Sequence, residues 1–264
     1  MLGLGANLSS SGGSVTSLSP GDISGLELWF KFNTGITGED GGATADGDMA
    51  DGEDIASWAD QSGNNYHTSQ GTASRKPHWD TATADIGGLS FTASAGMAMT
   101  LAGDFTIALN TDFTIMTRVK VTDLSAVRTI LGNTSQNVIK FVDNTEIKTL
   151  IGGTGSHSFV ESSDTFALDA YYIITLTRSG TSAGNLEFRV HGGAYDDKSW
   201  DEADDGSGAG TADNDAFVID NIGANSEGGT QPFDGFIKDV LVWEGTALTT
   251  GERNDMYTYI TTQE

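Results

Sequence analysis

Residues 233–243 read FDGFIKDVLVW, and residues 247–253, shortly after them in the chain, read ALTTGER. The first stretch is almost continuously apolar from Phe236 to Trp243. Such a run is typical of a strand that is covered on both faces. We therefore predict a central strand over residues 236–243.

The segment after this strand predicts a helix. Thr249 and Glu252 have the spacing of a capping box, in which each residue satisfies a free amide at the helix start. Met256, Tyr259 and Ile260 follow at helical spacing and would share one face. The sequence therefore predicts one short helix at the C-terminal end.

Earlier segments have the alternating pattern of half-buried strands. Residues 26–32 read LELWFKF, and the apolar even positions are predicted to face a core. Residues 137–151 predict a hairpin whose tight turn contains Asp143 and Asn144. Further strands are predicted over residues 113–121, 171–177 and 186–190, the last two as a second hairpin.

Glycine residues are frequent between these predicted strands. It accounts for 35 of 264 residues, nearly twice the usual share of about 7%. Most of these glycines stand beside small polar residues, as in turns. Short strands separated by such turns, with no helices alternating between them, favour an all-β sandwich over an α/β fold.

Charge and composition narrow the classes of function. The net charge is −24, from 37 acidic and 13 basic residues, so a phosphate backbone would be repelled and nucleic acid is not an expected partner. The absence of cysteine excludes disulfides and thiolate metal sites.

No apolar run is long enough for a transmembrane helix, and we expect no membrane insertion. The first residues lack the pattern of a secretory signal, so we expect any release from the cell to use another route.

Residues 1–22 differ in composition from the rest of the chain. They are rich in Ser and Gly, and they bury too little apolar surface to fold alone. We predict a flexible N-terminal arm that becomes ordered when it docks on a partner, and a folded domain over residues 23–264. This arrangement favours an assembly, with a homo-oligomer as one form.

Three pairs of segments occur in a fixed order: LELWF (26–30) with WADQSGNN (58–65), YIITLTR (172–178) with LEFRVHGG (186–193), and FDGFIKDVLVW (233–243) with ALTTGER (247–253). They resemble the opening strand and W-x-D turn, the paired central strands, and the closing strand and helix start of laminin-G-like or concanavalin-A-like lectin/glucanase domains. His191 stands where the family usually has Asn. The resemblance implies a two-sheet antiparallel jelly-roll β-sandwich with one short C-terminal helix.

No catalytic pattern accompanies this resemblance. The glucanase branch uses two Glu residues on one strand with an Asp between them, so that two carboxylates flank the glycosidic bond. No segment of this sequence has that pattern, and the four histidines lack short metal-binding spacing. We predict no enzymatic activity and no required cofactor, with a glycoside hydrolase as the minor alternative.

Candidate binding residues come from two sources. Sugar binding needs an aromatic platform, and the candidates for glycan or partner contact are Trp79, Trp200 and Trp29, with Trp200 predicted to be exposed in an acidic loop. Trp58 and Trp243 are predicted to belong to the core. Relatives with this fold often bind calcium, and the candidate calcium ligands are Asp60 and Asn64 in the W-x-D turn. The alternative for these two residues is a turn capped by its own side chains.

Two functions from different classes fit these observations. The first is a non-enzymatic surface protein of a marine-type bacteriophage virion, either a capsid decoration or a tail component. Its arm would dock on a major capsid or tail protein, and its domain would contact host glycans outside the cell after lysis. The second is a calcium-assisted carbohydrate-binding adhesin module of a cell-surface protein. Both kinds of protein occur with this fold, so the fold alone does not distinguish the two functions, and the residues of the site are needed to do so.

Overall fold

The computed structural model describes residues 18–39, 49–81, 88–134, 136–152, 155–160, 164–180, 185–203, 215–226 and 231–263. Within these ranges the chain forms 17 β-strands and one α-helix. The strands are β1 (Leu26–Phe30), β2 (Ile36–Gly38), β3 (Ile55–Trp58), β4 (Thr68–Ser69), β5 (His78–Trp79), β6 (Leu89–Phe91), β7 (Met99–Ile107), β8 (Phe113–Val121), β9 (Arg128–Asn133), β10 (Asn137–Phe141), β11 (Glu146–Ile151), β12 (Gly155–Val160), β13 (Tyr171–Arg178), β14 (Leu186–Gly192), β15 (Tyr195–Ala203), β16 (Phe217–Ile222) and β17 (Gly235–Glu244). The helix is α1 (Thr250–Thr261), and short 3-10 helices span Pro20–Asp22, Ala73–Arg75 and Ala93–Ala95.

The strands form two antiparallel sheets. In the first sheet, β17 lies between β8 on one side and β1 and β6 on the other, and the sheet continues from β8 through β13 and β14 to β15. The second sheet runs β2, β3, β4, β7, β16, β9, β10, β11 and β12. The predicted all-β jelly-roll sandwich with one C-terminal helix is confirmed.

Strand β15 belongs to both sheets. Its first part pairs with β14 in the first sheet, where Phe188 faces Trp200. Its last residues, 201–203, pair with residues 158–160 of β12 in the second sheet. The two sheets are therefore hydrogen-bonded to each other along one side of the sandwich.

The apolar core lies between the sheets and follows the predicted alternation with one exception. Leu28 and Phe30 of β1 are fully buried in it, and Phe32 is buried as well. Leu26 instead packs with the helix on the outer face of the first sheet. The prediction for Leu26 is wrong because a register shift between Leu26 and Leu28 in the pairing with β17 reverses the side to which it points.

Helix α1 covers part of the outer face of the first sheet. The predicted capping box is present: Thr249 Oγ1 accepts from Glu252 N at 3.3 Å, and Glu252 Oε2 accepts from Thr249 N at 2.8 Å. The helix buries Met256, Tyr257 and Ile260 against the sheet, whereas Tyr259 is only partly buried. The sheet residues that they contact are Met116, Ile173, Leu241 and Trp243. Among the described residues, no helix is both long and apolar enough to span a bilayer.

The end of the predicted N-terminal arm lies against the same helix-covered face. Leu18 packs on this apolar cluster, and Pro20 is buried, with its carbonyl accepting a hydrogen bond from Trp243 Nε1 at 3.4 Å. Residues 18–22 therefore contact the domain itself. Residues 1–17, which carry the Ser/Gly-rich part of the predicted arm, lie outside the described residues.

Candidate functional site

A cleft of about 470 Å³ opens at one end of the sandwich, where three loops meet. The loops are residues 122–127 between β8 and β9, residues 142–145 between β10 and β11, and residues 164–170 before β13. The cleft is lined by Asp123, Leu124, Ser125, Asp143, Asn144, Thr165, Phe166, Ala167 and Leu168. We call it the loop cleft.

Backbone hydrogen bonds fix the loops relative to one another. Phe166 N donates to Asn144 O at 2.7 Å, which joins the third loop to the second. Asp169 N donates to Val121 O at 3.0 Å, which joins the third loop to the base of the first. Ala167 N donates to the phenolic oxygen of Tyr172 at 2.9 Å. The cleft is therefore preformed, so a ligand would not have to order these loops on binding.

The floor of the loop cleft is aromatic. The Phe166 ring, 2% exposed, stacks on Trp200 with a centroid distance of 4.4 Å. It also makes edge contacts with Phe141 at 4.8 Å and Tyr172 at 5.2 Å. Because these rings pack between the sheets, they hold the third loop rigidly in place.

One wall of the cleft is apolar and open to solvent. Leu168 has 49% of its surface exposed. Among the described residues, the other large hydrophobic side chain with comparable exposure is Leu109, which lies outside the cleft. An exposed leucine in a concave site offers contact area to the apolar face of a ligand.

The cleft also carries hydrogen-bonding groups from the turn at Asp143. Its Oδ1 accepts from Thr145 N at 2.7 Å, from Thr145 Oγ1 at 2.8 Å and from Glu146 N at 3.0 Å. No described residue donates to Asp143 Oδ2, and none hydrogen-bonds the exposed carboxamide of Asn144. In residues that line the cleft, one carboxylate oxygen and one amide therefore remain available for a hydrogen bond.

Asp123 is the second carboxylate of the cleft, and it is held differently. Ser125 donates to it through both its backbone N and its Oγ, each at 2.9 Å. Arg128, which is buried, forms an ion pair with Asp123 Oδ2. The hydrogen bonds from Ser125, followed by the Arg128 guanidinium, lower the pKa of Asp123. This carboxyl group is therefore ionised at neutral pH.

A larger depression, of about 550 Å³, is lined by Glu39 and residues 50–54. Two of its carboxylates already have side-chain partners: Glu39 lies 2.9 Å from Lys76 Nζ, and Asp54 lies 2.8 Å from His78 Nδ1. It has no exposed large apolar side chain among the described residues. The loop cleft is therefore the better candidate for ligand binding.

Two of the predicted contact residues are buried. Trp79 is 1% exposed and Trp200 is 2% exposed, so neither ring offers a face to a sugar. The prediction that Trp200 is exposed is wrong because β15 turns this indole inward, where it packs on Phe166 and Phe188. Trp79 is part of the core through the pairing of β5 with β6. Trp58 and Trp243 are fully buried, and their predicted place in the core is confirmed.

Trp29 is the predicted contact residue that remains partly exposed. Its ring meets the edge of Tyr259 at 6.1 Å, and the Lys31 ammonium lies 5.6 Å from its centroid. It lies next to the helix-covered face of the first sheet, away from the loop cleft. A contact role for Trp29 stays a prediction.

The predicted calcium ligands form a capped turn. Asp60 accepts four hydrogen bonds, from Trp29 N at 2.9 Å, Ser62 N at 2.9 Å, Ser62 Oγ at 2.8 Å and Tyr66 N at 3.2 Å. These bonds use the acceptor capacity of a carboxylate. Asn64 Nδ2 donates to Glu27 O at 3.1 Å and to Glu27 Oε2 at 2.9 Å. Within the described ranges, no three His, Cys, Asp or Glu side chains are grouped so as to hold a metal ion. Calcium binding by Asp60 and Asn64 stays a prediction that this turn does not support.

The family of the chain follows from residues 91–252, which match the Laminin_G_3 family, described as the concanavalin A-like lectin/glucanases superfamily. The match covers more than half of the chain. The protein belongs to this superfamily. All three loops of the cleft lie within the matched residues of this laminin-G-like domain. Among curated proteins, none matches the chain.

Solved structures with a similar fold include parts of two enzymes. A sialidase of Trypanosoma rangeli, in complex with 2-keto-3-deoxy-D-glycero-D-galacto-2,3-difluoro-nononic acid, has a TM-score of 0.53 at 14% identity, covering 91% of this chain and 33% of its own. This laminin-G-like domain therefore spans about one third of the sialidase. Domain 4 of AbnA, a GH43 extracellular arabinanase of Geobacillus stearothermophilus in complex with arabinotriose, has a TM-score of 0.52 at 14% identity, covering 88% of this chain and 97% of its own. At such identities these similarities establish the fold.

Proposed function

We propose that this laminin-G-like domain binds an oligosaccharide in the loop cleft and does not catalyse a reaction there. The observation that carries the proposal is the position of exposed Leu168 in the same preformed cleft as Asp143 Oδ2 and the Asn144 amide. Sugars present apolar C–H faces beside hydroxyl groups, so a site that combines an apolar side chain with hydrogen-bonding groups is suited to them. The arabinanase domain of the same fold, which was solved with arabinotriose, supports an oligosaccharide as the ligand.

The state of the two cleft carboxylates supports binding over hydrolysis. A glycosidase needs one carboxyl group that stays protonated so that it can act as a general acid. Asp123 is ionised, because its hydrogen bonds from Ser125 and its ion pair with Arg128 lower its pKa. Asp143 Oδ1 is used to hold its own turn together. A reducing-sugar assay on the bound oligosaccharide is expected to show no release of product, and steady release would overturn this part of the proposal.

Binding is tested by a glycan array with the full chain, with and without calcium, followed by titration of the best neutral ligand. Leu168→Ala is expected to weaken binding by about 1 kcal/mol, roughly fivefold, because it removes apolar contact area. Leu109→Ala is the matched control, since it truncates an exposed leucine outside the cleft. Equal effects of the two variants, or an array without any bound glycan, would overturn the proposal.

The display of this domain on a virion surface is a separate proposal that rests on the sequence. Docking on a capsid or tail protein would involve residues 1–17, which lie outside the described residues. The alternative is an adhesin module on a cell surface, with the same loop cleft in use. Mass spectrometry of purified particles from the source separates the two, because a decoration protein has to be present in the particles and an adhesin has to be absent from them.

A further inference from the structure

The loop cleft has an uneven charge. Of its nine lining residues two are carboxylates, Asp123 and Asp143, and none is a Lys, Arg or His. Asp123 is neutralised in part by Arg128, whose side chain is 9% exposed and does not line the cleft. Among the described residues, no cation forms an ion pair with Asp143. The uncompensated negative charge of the cleft is therefore at Asp143.

We propose, resting on the oligosaccharide-binding function above, that the loop cleft selects glycans that carry a protonated amino group, with Asp143 Oδ2 as the group that recognises the ammonium. An ammonium donor forms a charge-assisted hydrogen bond with a carboxylate, which is stronger than the bond from a sugar hydroxyl. Glucosamine-type residues supply such a donor beside the apolar ring face that Leu168 contacts. Sugars that carry a carboxylate meet like charge at the same oxygen.

The charge of the whole protein acts in the same direction. With a net charge of −24, the surface attracts cationic ligands and repels uronic and sialic acids before contact is made. Salt weakens both effects, because charges beyond about 10 Å are screened at 0.1 M ionic strength. The preference for an amino sugar should therefore be largest at low salt.

A lysine side chain of a partner protein could supply the same ammonium group. The geometry favours a glycan, because the cleft is a small concave site with one exposed leucine. A protein partner generally buries about 800 Å² on each side and needs a broader apolar centre. The two sources are distinguished by including a lysine peptide among the ligands.

The test is a calorimetric titration of the full chain with four probes at slightly acidic pH and low salt. They are a trimer of glucosamine, its fully N-acetylated counterpart, a hyaluronan tetrasaccharide and trilysine. We expect the glucosamine trimer to bind about two- to fivefold more tightly than the acetylated trimer, with hyaluronan and trilysine weaker than both. Asp143→Asn should make the two trimers equal, since an amide keeps the acceptor for the turn but loses the charge. Asp196→Asn, at a carboxylate that is 95% exposed and outside the cleft, should leave the preference unchanged.

The outcomes separate this inference from the proposed function. If neutral glycans bind through Leu168 but the glucosamine trimer binds no more tightly, or hyaluronan binds best, the selectivity inference is overturned and the oligosaccharide function stands. If trilysine binds more tightly than either trimer, the ligand is a peptide. If no glycan on the array or among the probes binds, both proposals fall. An unchanged preference in Asp143→Asn would show that another group recognises the amine.

Discussion

The phenolic hydroxyl of Tyr257 donates a hydrogen bond to Asp197 Oδ1 at 2.7 Å, which connects α1 to strand β15. The same carboxylate receives Arg253 Nη2 from the helix at 3.2 Å and Arg189 Nη1 from β14 at 3.3 Å. The His191 ring lies parallel to the Tyr257 ring, with centroids 4.4 Å apart. Helix α1 is therefore held on the sandwich by a partly buried polar network as well as by its apolar face.

Removing members of this network should destabilise the fold to different degrees. Tyr257→Phe deletes one hydrogen bond and is expected to lower the free energy of unfolding by about 1 kcal/mol. Asp197→Ala should cost more, about 3 kcal/mol, because it removes the nearer carboxylate of the buried Arg253 and leaves, among the described residues, only Glu187, at 4.0 Å. Urea denaturation followed by tryptophan fluorescence measures both values. A larger loss in Tyr257→Phe than in Asp197→Ala would contradict this ranking.

Asp239 predicts a pH dependence of stability. Its carboxyl group is 2% exposed, Oδ1 accepts from Phe32 N at 2.9 Å, and Oδ2 has no hydrogen-bond partner. Burial raises the pKa of Asp239 to about 6, and this effect outweighs the hydrogen bond and the attraction of Arg118, Lys238 and Lys31. The folded state therefore retains this proton at a pH where the unfolded state has lost it.

The sign follows from proton linkage. Below about pH 4 both states are protonated, and the group has no net effect on stability. Between about pH 4 and about pH 6 the folded state binds more protons, so the free energy of unfolding falls as the pH rises, by about 3 kcal/mol in total. Asp239→Asn should thus be more stable than the natural protein at pH 8 and similar to it at pH 4. Asp220, whose pKa burial also raises to about 6, is present in both proteins and cancels in the difference, and Asp196→Asn serves as the exposed control.

Trp200 should prove structural, in contrast to Trp29. Trp200→Ala is expected to cost about 3–5 kcal/mol, because it opens a cavity under Phe166. Trp200→Phe should cost less, since it keeps an aromatic ring and removes an indole N–H that has no hydrogen-bond partner. Trp29→Ala, at a partly exposed site, should cost about 1 kcal/mol. Thermal denaturation provides the comparison, and a Trp29 variant less stable than the Trp200→Ala variant would contradict it.

Gly235 should tolerate no side chain. Its φ is +136°, and a Cβ atom there would lie 2.0 Å from the backbone carbonyl oxygen of Lys120. Gly235→Ala is therefore expected to lower the free energy of unfolding by several kcal/mol, since strand β8 would have to move. Gly71→Ala is the control, because no atom lies within 4 Å of its added Cβ. Chemical denaturation of both variants measures the difference.

Features that depend on neighbouring residues were predictable from the sequence. The hairpin turn at Asp143, the capping box at Thr249 and the apolar strand β17 all depend on short-range patterns. These elements can be recognised from residue periodicity and turn-forming residues, because few other local conformations satisfy the hydrogen bonds of the same backbone groups. The position of Leu26 was not predictable, because a register shift against a strand more than 200 residues away determines it.

The position of the loop cleft could not be predicted from the sequence, for a related reason. Asp123, Asp143 and Leu168 lie on three loops that only the folded sandwich brings together. The Asp143–Asn144 pair could be identified as a turn, but no local signal shows that an oxygen remains available there. Trp200 was predicted to be exposed, but its ring is buried and packs against Phe166, which lines the cleft. Burial of a ring depends on what packs over it, and composition of the surrounding loop does not show this.

The shared strand β15 also limits how copies of this protein can associate. The outer backbone groups of β14 at residues 188–192 and of β12 at residues 158–160 already hydrogen-bond β15. A strand from another molecule therefore finds no unpaired backbone groups along these stretches. Pairing with such groups at a sheet edge is a common route by which β-proteins aggregate. At these two stretches, contacts between copies have to use side chains, and so can be removed by point mutation without unfolding either sheet.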